Sequence, residues 1–265
     1  MLNEIRSLKV FNRIKFHEQG HLYYVDDVKQ PISITKVISK CKPEFDSDKW
    51  SLHTAKKLNV DQSQVLKDWK ENAEFSTQLG TLLHSYIENF LSNKIKRYDQ
   101  NDIINRFGNE KHNEMRGILA KFIKSFHGLY KNFEHIIPLR SELILGDIDD
   151  TKICGTADLL AYNTERQCYE LYDYKTNKKF TYKNDFKEKY LHPDISHLDV
   201  CDLNSYSIQQ SFYKYFIEKY TDIKIKDCFI VWFNRADGSC ELIKCNDYTQ
   251  YCSSLLKTTL SDLTV

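Results

Sequence analysis

Two short stretches carry the residue types that metal-assisted hydrolysis needs: Gly155-Thr-Ala-Asp158 and, fifteen residues beyond that aspartate, Asp173-Tyr174-Lys175. Both lie in strand-like runs separated by Asn163-Thr-Glu-Arg166, which has the length and composition of a hairpin connection. A hairpin closing symmetrically over 163–166 sets Tyr162 against Gln167. Asp158 then stands opposite Leu171 and diagonal to Asp173 on one face of the sheet. Lys175, two positions along from Asp173, shares that face. Neighbouring carboxylates repel, and one is driven neutral unless a cation lies between them. The arrangement therefore reads as a seat for a divalent metal, with Lys175 facing the reacting group beside it. Spacing alone says little: with 37 acids and 38 bases, about five acid-x-base triplets arise by chance.

The surroundings give the triplet its meaning. Leu79, Leu82, Leu83, Tyr86, Ile87, Phe90 and Leu91 recur at three- and four-residue intervals, which predicts an amphipathic helix from about Thr77 with His84 and Glu88 on its flank. Glu88 is one turn beyond His84, placed to orient the imidazole or a bound water, or simply to be solvated. His84 taken alone reads as a helix histidine bonded to backbone. Arg140-Ser-Glu142 lies on an alternating run after Pro138, where Glu142 supports the site or makes a structural salt bridge. Gln209 and Tyr213 fall at i and i+4 of a helix over 204–220, either facing the site together or dividing into a buried aromatic and a surface amide.

As a set these motifs resemble the catalytic core of the PD-(D/E)XK nuclease superfamily, most closely its RecB-like exonuclease branch, including small phage-type and mitochondrial-type members. The resemblance runs from 77 to 220. It implies Asp158 and Asp173 as the catalytic acids, Lys175 as the catalytic lysine, and His84, Asp158, Asp173 and the Tyr174 carbonyl as ligands of Mg²⁺ or Mn²⁺. Glu142 then corresponds to the acidic strand preceding Gly-x-x-Asp, and Glu88 supports the site. Gln209 and Tyr213 match a Gln-x-x-x-Tyr helix and, with Thr176, Lys178 and Lys179, would meet the DNA. The proline of the superfamily name is missing before Asp158, a departure common in this branch. Expected chemistry is hydrolysis of DNA from free ends to a 5′-phosphate and a 3′-hydroxyl. A structure- or sequence-specific endonuclease and an inactive nucleic-acid-binding module are the alternatives.

Positioning these residues requires an α/β (α+β) body, a central mixed sheet over 139–244 flanked by helices. Ahead of it stand a β-hairpin over 14–32, with turns at 18–20 and Asp26-Asp27, and a proline-free helical layer over 46–133. A final amphipathic helix runs over 247–263. Only eight Gly and four Pro in 265 residues leave little room for flexible linkers. One domain is expected over 1–265, in segments 1–45, 46–136 and 137–265.

A formal charge of +1 provides no overall field toward nucleic acid, so any phosphate binding must be local. Lys175 to Lys189 supplies a candidate, with six lysines against Asp185 and Glu188; a solvated charged loop is the bland reading. Phe180, Tyr182, Phe186 and Tyr190, interleaved there, either stack on bases or pin the loop. The longest apolar run, Cys228 to Phe233, is six residues, against about 20 for a membrane span. No targeting signal is read at the N-terminus, so a cytoplasmic protein is expected, in a bacterial or phage-infected cell. The eight cysteines contain no Cys-x-x-Cys pair, and reduced thiols without an iron–sulfur cluster are expected. DNA, single-stranded or with duplex ends, is the expected partner of a monomer, with replication or recombination proteins beside it.

Overall fold

The computed structural model describes residues 2–17, 20, 22–30, 32–92 and 100–261. Helix α1 (Leu2–Ser7) and a 3-10 turn precede strands β1 (Ile14–His17), β2 (Leu22–Val25) and β3 (Val28–Lys29). The expected hairpin is thus a three-stranded antiparallel sheet, because Asp26 and Asp27 both take positive φ and return the chain as a third, two-residue strand. Of the other expected turn, Glu18 and Gln19 lie outside the described residues.

The helical layer is α3 (Ser47–Leu58), α4 (Gln62–Ser92) and α5 (Gln100–Lys131), the last broken at Gly108. α4 begins fifteen residues before the expected Thr77, since nothing in 62–76 interrupts it: Val65 and Phe75 continue its buried face. α2 (Ile34–Lys40) precedes this layer.

The sheet has the order β4-β5-β6-β7-β8: β4 (Ile136–Gly146), β5 (Cys154–Asn163), β6 (Cys168–Lys175), β7 (Ile225–Phe233) and β8 (Cys240–Lys244). It is mixed, with β6 and β7 parallel and the other neighbours antiparallel. The crossover between β6 and β7 is α6 (Asp202–Tyr220), and α7 (Thr249–Ser261) follows β8. Leu263, the expected end of that last helix, lies outside the described residues. β4 starts before Pro138 rather than after it. As an edge strand it tolerates a residue without an N–H, and a register shift sits there.

β5 and β6 are apolar on both faces because each face is covered. Leu160, Leu171 and Ile230 pack under α6 with Phe212 and Phe216. Leu159, Tyr172 and Val231 pack against α4 and α5 with Leu83 and Phe122. Among the described residues no helix is long and apolar enough to cross a membrane.

The hairpin joining β5 to β6 differs from its symmetric expectation. Tyr162 pairs with Tyr169, not Gln167, and Asn163 pairs with Cys168. Asn163 stays in the ladder because its Oδ1 accepts the Arg166 N–H at 3.0 Å, which moves the loop to 164–167. Leu159 consequently faces Tyr172. Continued one step, this register puts Asp158 level with Asp173 rather than diagonal to it.

Candidate active site

Three carboxylates stand in a row across adjacent strands. Ser141 pairs with Leu159 and Leu143 with Ala157, so Glu142 on β4 lies beside Asp158 on β5, and Asp173 on β6 continues the row. Glu142 has φ 48° in the middle of its strand, where an L residue is strained. The two-residue alternation slips at the same point: Ala157 and Leu160, three apart, both belong to the layer under α6. This local twist turns Glu142 and Asp158 toward α4 while Asp173 remains on the α6 side.

α4 supplies the imidazole. His84 Nε2 is 2.9 Å from the Tyr174 carbonyl oxygen, and Nδ1 is 3.5 Å from Asp158 Oδ2 and 3.7 Å from Glu142 Oε1. A carbonyl on one side and carboxylates on the other call for N–H on both nitrogens, an imidazolium. Burial would depress the His84 pKa, but Asp158 and Glu142 outweigh it and hold it well above its ordinary value. Asp158 also accepts the Tyr174 N–H at 2.7 Å. Burial penalises its charge, yet His84, Lys175 and that N–H keep its pKa lowered. Glu142 is raised by burial, with His84 opposing.

Asp173 is 1% exposed. Its Oδ2 lies 2.5 Å from Lys175 Nζ, a buried ion pair. Burial and then the Asp158 charge push the carboxyl up to about 6. Lys175 sits 4.9 Å above the Tyr206 ring; burial opposes its charge, but Asp173 and Asp158 hold it protonated.

His84, Glu142 and Asp158 offer ligand atoms within 4.8 Å of one another. Carboxylate oxygens with one imidazole suit Mg²⁺ or Mn²⁺, and three acids against one lysine and one imidazole leave an excess of negative charge that fits a divalent cation. The expected ligand set was His84, Asp158, Asp173 and the Tyr174 carbonyl. The structure groups His84 and Asp158 with Glu142, holds the Tyr174 carbonyl oxygen 2.9 Å from His84 Nε2 and pairs Asp173 with Lys175. Glu88 lies outside the group, although its charge reaches Glu142.

Gln209 Nε2 donates to the Tyr213 hydroxyl at 2.8 Å, and both side chains are buried. They face the sheet and not the solvent: a Cβ on Gly155 would come within 2.9 Å of Tyr213 Cε1, so Gly155 admits the ring. Thr176 is buried, while Lys178 and Lys179 are exposed on the loop that follows. Along that loop Tyr190 is buried with its hydroxyl 2.8 Å from Ser205, whereas Phe186 is exposed and packs on Trp50.

A cleft of about 430 Å³ opens over the site between α4, the end of β6 and the turn after β7, reached by His84, Lys175, Thr176, Lys178, Tyr206 and Arg235. Tyr206 and Arg235 escaped the sequence reading. The spacing of 206, 209 and 213 along α6 could have flagged the tyrosine. Arg235 lies in a turn, where side-chain direction has no periodicity to read.

Buried acids on adjacent strands, an imidazole and a lysine define a site of the cation-assisted hydrolytic class. A family model described as the PD-(D/E)XK nuclease superfamily matches residues 49–224, and the chain belongs to that superfamily. Membership implies metal-dependent nuclease activity. Comparison with curated proteins gives no match.

Proposed function

We propose that this protein is a Mg²⁺- or Mn²⁺-dependent deoxyribonuclease of the RecB-like branch that degrades DNA from free ends, acting as a single nuclease domain and a monomer. The supporting observation is His84: a histidine from α4 brought to the acids of β4 and β5 and to the Tyr174 carbonyl. That juxtaposition is what the Gly-x-x-x-His helix of the branch implies. The long α4 also walls one side of the cleft, which favours entry of a strand end over broad docking of a duplex.

The cation would supply charge neutralisation at the scissile phosphate and a more acidic water. His84, Glu142 and Asp158 would hold it, with Asp173 beside them. Lys175, kept protonated by Asp173 and Asp158, faces the cleft floor, where it orients the attacking water or stabilises charge on the phosphate. Asp173 fixes the ammonium, and Tyr206 covers its other side. A role in DNA recombination, repair or replication within the cytoplasm accords with an end-directed nuclease.

The test is digestion of end-labelled single-stranded and duplex linear DNA beside closed circles, in Mg²⁺, Mn²⁺ or EDTA, with Asp173→Ala as the control. Metal-dependent loss of linear DNA with circles spared is expected, and the label lost first gives the polarity. Cutting of circles would replace the exonuclease reading with an endonuclease one. Binding without cutting in every metal would replace it with a binding module.

A further inference from the structure

The cleft does not end at His84 and Lys175. At Asn72, Lys178 and Arg235 it continues into a second groove of about 360 Å³, bounded by Phe75 of α4, Ile118 of α5 and Lys179. Arg235 stands at the junction of the two. Its Nε donates to the Thr176 carbonyl at 3.0 Å, and its guanidinium lies 5.9 Å from the centre of the Phe75 ring. That one bond sets the plane of the fork. The two terminal amino groups have no hydrogen bond or ion pair among the described residues.

Neighbouring charges are differently placed. Lys175 is committed to Asp173 and Lys111 to Glu71, each at 2.5 Å. Glu114 also lines the groove but is exposed and makes no ion pair with Arg235. Burial lowers the Arg235 pKa, with the Glu114 charge opposing without contact. The turn that presents it is rigid: Asn234 Oδ1 accepts from the Ala236 N–H, Gly238 N–H returns to the Asn234 carbonyl, and Asp237 binds Ser239. A fixed planar fork with free donors matches two oxygens of one phosphate.

We propose that Arg235 is the clamp of a second phosphate subsite, which holds a backbone phosphate other than the scissile one and directs the strand from the metal site along the groove toward Lys178 and Lys179. The inference rests on the nuclease reading for the identity of its ligand, a nucleic-acid strand. It extends that reading by naming where the rest of the strand goes and which residue grips it.

The test is fluorescence anisotropy of a fluorescein-labelled oligothymidylate with wild type, Arg235→Gln and Arg235→Lys in Ca²⁺, from about 50 to about 200 mM salt. Arg235→Gln should bind about tenfold more weakly and lower the salt slope by about 0.7, one phosphate contact on a single strand. Arg235→Lys should keep the slope while losing part of the affinity, because a point charge remains but the fork is gone. In cleavage, Arg235→Gln should lose about tenfold more on the oligonucleotide, mainly in KM, than on the p-nitrophenyl ester of thymidine 5′-monophosphate, which has no second backbone phosphate. Equal losses on both substrates, an unchanged salt slope in Arg235→Gln, a slope lost in Arg235→Lys as well, or no binding by wild type would each overturn the subsite. The two readings fail separately. A wild type that binds with an Arg235-dependent slope but cuts nothing defeats the exonuclease and leaves the subsite standing; one that cuts DNA with an Arg235-independent slope does the reverse.

Discussion

The central sheet carries two charge clusters built around buried acids, one toward each end of β6, and the two are solved differently. Near the β5–β6 hairpin, Glu170 and Asp227 face Arg166 and Lys244, two acids for two permanent cations. Lys244 Nζ is 2.6 Å from Asp227 Oδ1, Arg166 bridges both acids, and Tyr172 and Asn163 donate to Glu170. At the other end Glu142, Asp158 and Asp173 share one lysine and a histidine that must take up a proton to help. The contrast is sharpest between two aspartates on neighbouring strands. Burial penalises both, but Lys244 and Arg166 bring Asp227 below its ordinary value, whereas Asp173 is pushed up to about 6. A cluster that closes its own charges is structural; one left with an excess of acid is built for a cation that comes from outside.

The largest expected effect that separates the clusters is in Asp173→Asn. Cleavage should fall about a thousandfold, the several kcal/mol that a metal-centred charge supplies, while urea melts of the metal-free protein show no loss of stability. A destabilised but active variant would erase the distinction.

Periodicity makes much of this site legible in the sequence itself. Two-residue alternation set Asp173 and Lys175 on one face, and the helical run from Leu79 to Leu91 put His84 on a flank that meets the sheet. What periodicity could not show is where it fails. Asn163 caps its own hairpin and shifts the β5–β6 register by two, and Glu142 enters the positive-φ region, which rotates it toward His84. Both are local side-chain or backbone events with no repeating signature. The clamp residue Arg235 escaped for the same reason, being in a turn.

The second contrast comes from the hairpin end. Arg166→Ala should cost about 2–3 kcal/mol, below the range for a wholly buried pair because the arginine side chain is 43% exposed while Glu170 is 1%. Cleavage at saturating metal should stay within about twofold of wild type. An equal loss of activity would mean that the two clusters act as one.

A third test uses pH. Asp173 rises from 3.8 to about 6 on folding, so its favourable contribution is complete below about 4 and is lost as pH rises through about 6. The stability gap between metal-free Asp173→Asn and wild type should therefore widen by about 2–3 kcal/mol between pH 4 and 6 and then level off. Asp227, whose pKa is lowered, behaves oppositely: its contribution is complete above about 4 and fades as pH falls. Parallel profiles for wild type and Asp173→Asn would contradict the raised Asp173. The smallest effect is expected from His84→Gln, which should raise the Mn²⁺ concentration for half-maximal cleavage about tenfold with little change in melting temperature; an unchanged Mn²⁺ titration would return His84 to a structural role.

An acid excess that is a cation site must bind Mn²⁺ without DNA, and an equilibrium Mn²⁺ titration followed by electron paramagnetic resonance of the free ion measures that binding. Wild type should remove Mn²⁺ from solution saturably, with proton release as the His84 imidazolium gives up its charge, and Asp158→Asn should bind at least tenfold more weakly. Equal Mn²⁺ uptake by wild type and Asp158→Asn would mean that these acids hold no cation.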